Sequence, residues 1–469
     1  MSVTRRTEPC PDAVSVWLYG FVWFATLADQ CLTWPPLGHA AGIAILGFLL
    51  LQFPRQRSYV RALFVGLSGI GLAGVVFSAD PLGLFLEGWR RGAVYAAFFL
   101  ALSSLRDAAE TSRLVRRCGQ HLVAQPPGRR YAALTGGGHL FGIILSYGAI
   151  ELLGAMVMRA GGRSATENGR RMMMAIYRGF CVMNCWSPLN LMTAVVTTAV
   201  PAAPMQRLLP IAFVVSIVIA AIGWLEDRLA WRQTGVTTRT TERWTVHLRI
   251  VALVALVMLG AETISWLFGV GLVASVTLAV PSIALAWAVA QTGPRTPGWA
   301  IAVIRRRVAR FMRRVPSFRG EATVLSCSGF MGVAAVGVLP VDGIAPWLTH
   351  MPPVLVPLLV PVLLILTGQI GLNPVAIVAL LGAAMPDPAR LGVPPAALAF
   401  ACMVGWGLGV GMTPMSASAI TTARWAGASP WTVGSAWNIR FTLAALVFAW
   451  AAIGVVFVCF AGAAQTAVP

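Results

Sequence analysis

The chain contains no lysine, so all 35 of its basic side chains are arginines; set against 16 acidic residues they give a net charge of +19. Charge is scarce overall, at 11% of residues against 58% hydrophobic, and the mean hydropathy is +0.77. That balance excludes a soluble globular protein and puts most of the chain in lipid. The arginines gather in short loops between apolar runs, which is a topology signal and not the footprint of a nucleic-acid partner. Eight cysteines occur, with no Cys-x-x-Cys and no matching histidine set, so neither a metal centre nor a disulfide framework is expected. Cys181 and Cys185, four apart, read as small residues packing a membrane helix. No P-loop, paired carboxylates or His-Glu-x-x-His motif points to catalysis, and nothing resembles a channel filter. No cofactor is implied, and no cleavable leader is expected, because the first apolar run, from Val14, ends in Trp34-Pro35-Pro36 instead of a small-residue cleavage site.

What is present is a series of apolar runs near spanning length, about 20 residues each. The fold class expected is an all-α integral membrane protein, with helices over 14–32, 36–53, 62–78 and 81–105 and an amphipathic surface helix over 108–123. Glu87, Arg90 and Arg91 suggest an interfacial lead-in to the fourth run. Arginine distribution then makes a topology. The run 134–158 is flanked by basic segments on both sides, which a single crossing would place on opposite faces. A hairpin that enters and returns satisfies both, with its tip at Ser146-Tyr147-Gly148. The run 353–385 is broken at Thr367-Gly368-Gln369-Ile370-Gly371-Leu372-Asn373-Pro374, each arm too short to span, and its flanks are nearly free of arginine. It reads as a hairpin opening to the other face.

Each hairpin precedes an apolar helix interrupted by a hydroxyl residue and proline: Ser187-Pro188 within 172–200 and Thr413-Pro414 within 394–425. Proline removes a helix hydrogen bond and clashes with the preceding turn. In lipid, broken backbone survives only where protein or a polar cavity covers it. Tyr147 to Pro188 and Asn373 to Pro414 are each 41 residues (188 − 147; 414 − 373). The organisation is therefore an inverted-topology repeat with two re-entrant hairpins and two proline-broken helices: N-terminal helices 1–61, a first repeat 62–227, a linker 228–249 and a second repeat 250–460. Such repeats are a mark of secondary transporters. The membrane expected is a bacterial-type cytoplasmic (inner) membrane, crossed many times, with the N-terminus cytoplasmic.

The segments Trp186-Ser187-Pro188-Leu189-Asn190, Met412-Thr413-Pro414-Met415-Ser416-Ala417-Ser418 and Gly371-Leu372-Asn373-Pro374 resemble the broken-helix and hairpin-tip motifs of the ion transporter superfamily, nearest its divalent-anion/sodium symporters and its citrate, gluconate and arsenite carriers. The resemblance covers about 134–453 and implies alternating access to a small anion, with sodium or a proton as coupling ion. The first tip, Ser146-Tyr147-Gly148-Ala149, lacks the Asn-Thr pair that sodium-coupled members place there.

A half-helix starting after a break presents free N–H groups and its positive dipole end, which suits an anion. The substrate-binding candidates are Ser187, Asn190, Thr413, Ser416, Ser418, Gln369, Asn373 and Ser146, with helix packing or tip capping as the plainer role for each. Ionisable residues in lipid are costly and point to function by default. Glu151, the carboxylate of the first hairpin, is the proton-coupling candidate, expected to be desolvated. Arg178 and Arg440 are candidate charge partners, or side chains that snorkel to the surface; Glu262 and His139 complete the set. The function expected is a secondary active transporter of a small organic or inorganic anion, and not an enzyme. A polytopic membrane enzyme or assembly factor, for instance one handling lipid-linked glycans, or a non-transporting sensor, is the alternative. The partners are the substrate and the bilayer; homodimerisation stays open.

Overall fold

A computed structural model describes residues 13–159, 166–230, 244–293, 297–338, 350–385 and 387–465. Among them every regular element is helical, and eight helical segments are long and apolar enough to cross a membrane. Arg163 and Pro386, on the expected flanks of the two hairpins, lie outside the described residues, as does most of the expected linker.

Four helices open the chain: α1 (Ala13–Leu32), α2 (Pro35–Gln52), α3 (Ser58–Val76) and α4 (Pro81–Glu110). Proline at the first turn starts α2 and α4, where its missing N–H is one of the helix's unpaired donors anyway. With α14 (Arg319–Ala334) they bury a core of their own around Tyr19, Phe48, Trp89 and Phe330, the last two rings stacked at 4.7 Å. In the expected interfacial lead-in of α4, Glu87, Arg90 and Arg91 are part-buried and paired: Arg90 with Asp29 of α1 at 2.8 Å and with Glu87 of α4 itself at 2.9 Å, and Arg91 donating to the Thr198 carbonyl. The helix α5 (Arg113–Val123) is amphipathic, with Arg113, Arg116, Arg117 and Gln120 exposed. It begins at 113 instead of 108, and Val115, Cys118, Leu122 and Val123 are buried beneath the first hairpin.

The first hairpin is α6 (Pro127–Leu145) and α7 (Gly148–Arg159), longer at its start than the expected 134–158. The first broken helix is α8 (Glu167–Met183) and α9 (Leu191–Ala199), followed by α10 (Met205–Ala230). After α11 (Thr245–Phe268), α12 (Leu272–Ala290) and α13 (Trp299–Arg314) comes the second set. Its hairpin is α15 (Leu355–Gln369) and α16 (Pro374–Ala384); its broken helix is α17 (Pro395–Met412) and α18 (Ala417–Ala426); α19 (Ile439–Gln465) closes it.

The two sets are one plan used twice. Ser187 and Thr413, Pro188 and Pro414, Asn190 and Ser416, and the second-arm starts Gly148 and Pro374 are all 226 residues apart (413 − 187, 414 − 188, 416 − 190, 374 − 148). In each set the first hairpin arm lies on the first half of its own broken helix. In the first set the approach is close enough that a Cβ at Gly138 would strike the Ile176 carbonyl oxygen, and one at Gly179 the Thr135 carbonyl oxygen. The second halves are exchanged: α9 packs on α16 of the other hairpin, and α18 on α7.

The first halves, α8 and α17, meet each other antiparallel. Tyr177 touches Val410 and Gly411, whereas Cys185, eight residues further along, is at Val404. The partner number falls as the residue number rises, so the two broken helices enter from opposite directions. That is the inverted relation which loop charge alone had suggested.

Candidate functional site

Both breaks are built by the same local chemistry. A proline that cannot donate ends the first half-helix, and a side-chain cap starts the second. At the first break Asn190 accepts from Met192 N at 2.9 Å and Ser187 accepts from Leu189 N at 3.3 Å. Thr193 donates back to the Ser187 carbonyl at 2.8 Å, so the unwound turn is closed on itself. The Asn190 amide also donates to the Asn184 side chain at 2.7 Å, and Asn184 donates to the Phe180 carbonyl. Beside them the Trp186 indole donates to His139 Nε2 at 2.8 Å, fixing that ring nitrogen as an acceptor. Ser187 is fully buried and Asn190 half-buried.

The second break gathers more elements. Thr413 donates to the Gly368 carbonyl of the hairpin tip at 2.6 Å and accepts from Met415 N. Gln369 donates to the Met412 carbonyl and accepts from Ser435 at 2.9 Å. Ser416 caps α18 through Ala419 N and is hydrogen-bonded to Ser418 at 3.0 Å. From the other half of the protein, the Tyr177 hydroxyl donates to the Val410 carbonyl at 3.1 Å. Asn438, just before α19, donates to the Gly411 carbonyl at 2.5 Å. The last carbonyls of α17, the negative end of its dipole, thus face donors from α8, α15 and the turn before α19.

Arg178 extends this group. Its guanidinium is 2.7 Å from Glu226 and donates to Asn438 at 2.9 Å, to Tyr131 at 3.1 Å and to the Trp437 carbonyl at 3.2 Å. With its side chain 7% exposed it does not snorkel to the surface. A charge already inside needs these partners, and they come from α6, α10 and the α19 turn, so the arginine ties all of them to α8.

Several candidates lie elsewhere. Asn373 caps α16 through Val375 N at 2.9 Å, which is the tip-capping role. Ser146 is exposed, at a positive φ of 52°, and the tip beside it is held by Arg106 over the Tyr147 ring and by the Tyr147 hydroxyl on Glu321. Arg440 and Glu262 are exposed. Glu151 is neither solitary nor desolvated. It sits 3.0 Å from Arg424, takes the Trp425 indole N–H at 2.8 Å, and its side chain is 39% exposed. The exchange of second halves brings α18 onto α7, and that supplies both partners.

The breaks are also staggered. Cys185, in the turn just after α8, lies against Val404, nine residues before Thr413, which is about 13 Å at 1.5 Å per residue. Between them the pair is close-packed: a Cβ at Gly407 would strike Cys185 Sγ. The two breaks are polar ends of one packed overlap, capped by Asn190 at one end and by Ser416 at the other.

Sequence reasoning missed Tyr177, Asn184, Ser435 and Asn438. One signal was available for two of them. The chain has five asparagines, and four of these, Asn184, Asn190, Asn373 and Asn438, are at the breaks or the second tip. An amide is expensive in lipid unless paired, so its rarity makes each occurrence informative.

No family model matches the chain, and no curated protein matches its sequence. Solved structures do match its fold. The YdaH transporter of Alcanivorax borkumensis is 19% identical, with a TM-score of 0.51 over 88% of this chain and 97% of that one. MtrF of Neisseria gonorrhoeae, described within a class of antimetabolite efflux pumps, is 13% identical, with a TM-score of 0.51 over 86% and 94%. At these identities the likeness is one of fold. The chain thus shares the fold of two solved membrane transporters; its resemblance to the ion transporter superfamily is one of motif.

Proposed function

We propose that this protein is a secondary active transporter that moves a small organic or inorganic anion across the membrane by alternating access. The observation that carries the reading is the antiparallel pair α8/α17 with a polar break at each end, each break lying beside a hairpin and opening a new helix N-terminus. Half-helix N-termini and neutral hydroxyl and amide groups can hold an anion and release it without stranding a buried charge. Asn184, Asn190, Thr413, Ser416, Ser418 and Gln369 are the side chains placed to do so, and Arg178 supplies a positive potential beside the second break. The exchange of second halves supports a coupled motion, since moving either hairpin displaces the other half's broken helix.

The test is a thermal-shift screen of purified protein against small carboxylates and oxyanions, followed by flux of each hit in proteoliposomes. Because the gonococcal neighbour belongs to a class of efflux pumps, both directions of gradient are measured. A ligand that stabilises the protein, exchanges across the bilayer and loses both effects in Thr413→Val supports the proposal. Stabilising anions without any flux would favour a sensor and overturn it.

A further inference from the structure

The helix α13, WAIAVIRRRVARFMRR, takes no part in either break, yet it is the most arginine-rich element of the structure. Placed at 100° per residue, Phe311, Ile304, Val308, Ile301 and Met312 fall on one arc of about 100°. Arg306, Arg310 and Arg313 fall on the opposite side, with Arg305 at the edge. Packing accounts for only part of this helix. Phe311 and Met312 rest on the N-terminal bundle, Met312 reaching Gly20 of α1, and Arg314 is 2.6 Å from Asp107 and 3.0 Å from Glu110 at the end of α4. The rest is uncovered: no residue of α13 is fully buried, Ile301 is 65% exposed and Val308 42%, and Arg305, Arg306, Arg310 and Arg313 are exposed.

A helix fixed along one edge, whose apolar arc is bare and whose other cations have no acidic partner among the described residues, is the form that lies in a membrane interface. We propose that α13 binds the anionic headgroups of the phospholipid leaflet at the arginine-rich end of the protein. The apolar arc enters the acyl boundary, while Arg305, Arg306, Arg310 and Arg313 meet phosphate oxygens. Charge complementarity selects this occupant. The helix has no acidic residue, and the carboxylates at the end of α4 engage Arg307 and Arg314, leaving the other four for an anion. The opposite apolar arc requires that the anion belong to a lipid and not to a solute.

The experiment uses the full-length protein, delipidated in detergent and reconstituted with phosphatidylcholine alone or with phosphatidylglycerol added. Retained phospholipid is read by native mass spectrometry, and the unfolding midpoint is read in each mixture. Wild type is expected to retain phosphatidylglycerol and to unfold at higher temperature in its presence, with no such effect from inorganic phosphate in neutral lipid. The variant R305Q/R306Q/R310Q/R313Q is expected to bind the anionic lipid at least about tenfold more weakly. The lysine variant R305K/R306K/R310K/R313K is expected to keep it, because a headgroup surface reads charge. The variant R57Q/R61Q, which removes two exposed arginines at the start of α3, outside α13 and its apolar arc, is expected to leave binding unchanged. Equal behaviour of wild type in the two lipids, an effect reproduced by free phosphate, loss in the lysine variant, or loss in R57Q/R61Q would each overturn the assignment.

Discussion

Tyr177 and Val410 join the two halves of the protein through one hydrogen bond: the hydroxyl on α8 donates to the carbonyl on α17 at 3.1 Å across 233 positions of chain. The bond lies where the second helix is about to break, so it does two things. It satisfies a carbonyl that the helix itself abandons, and it fixes the antiparallel register of the pair.

Tyr177→Phe should therefore uncouple these roles without opening a large cavity. Loss of one buried hydrogen bond is expected to cost about 1–2 kcal/mol, a shift of a few degrees in the unfolding midpoint. Flux should fall much further than stability does, since the break loses its tie to the opposite half. A variant with the midpoint lowered but flux intact would remove Tyr177 from the site.

Arg178 makes a sharper test because its charge is buried. Removing only the arginine strands Glu226, and breaking such a pair costs about 3–5 kcal/mol when fully buried. Glu226 is 30% exposed, so a cost toward the low end is expected for Arg178→Met. The double variant R178M/E226L should recover part of that stability, measured by thermal unfolding in detergent. No recovery would mean that the hydrogen bonds to Tyr131, Asn438 and Trp437, and not the ion pair, hold the hub together.

Two glycines of one helix give opposite expectations. At Gly138 an added Cβ meets the Ile176 backbone, which cannot yield as a flexible side chain would, so Gly138→Ala should cost at least about 1–3 kcal/mol and reduce folded yield. At Gly136 nothing lies within 4 Å, and Gly136→Ala should be neutral or stabilising by up to about 1 kcal/mol. Folded yield on size-exclusion chromatography and the unfolding midpoint decide the matter. Equal effects at the two sites would remove the close approach of α6 and α8.

These residues also mark what was legible in the sequence. Ser187-Pro188 and Thr413-Pro414 could be read directly, because proline acts through its own covalent structure and needs no partner. The hairpins could be read from arginines on their flanks and from a run too short to span. Tyr177 looked like one aromatic residue in an apolar helix; its partner is in the other half, and no local pattern encodes that register. The partners of Glu151 were hidden for a related reason. Its desolvation depended on what packs there, and the exchanged helix α18 brought Arg424 and Trp425 to it.

That pairing reverses the expectation for Glu151→Gln. A half-exposed ion pair such as Glu151 with Arg424 contributes about 0–1 kcal/mol. The glutamine variant should retain gradient-driven flux within about threefold, with only a small change in midpoint. Abolition of proton-driven flux with substrate binding spared would restore Glu151 as the proton carrier.

The coupling ion can be argued from the second break. A sodium ion held at a helix C-terminal end is coordinated by unwound carbonyls. Here those of Val410, Gly411 and Met412 accept from Tyr177, Asn438 and Gln369, and that of Gly368 accepts from Thr413. The donors are side chains from four parts of the fold, so a cation would have to displace several hydrogen bonds, each worth about 1 kcal/mol net, before gaining its own ligands. Flux in proteoliposomes should therefore be unchanged when choline replaces sodium on both sides, and should respond to an imposed pH gradient. Strict sodium dependence would show that these donors leave their carbonyls during the cycle, and Asn438→Ala, which removes the nearer of the two donors to the Gly411 carbonyl in advance, would then lower the sodium concentration needed for half-maximal flux.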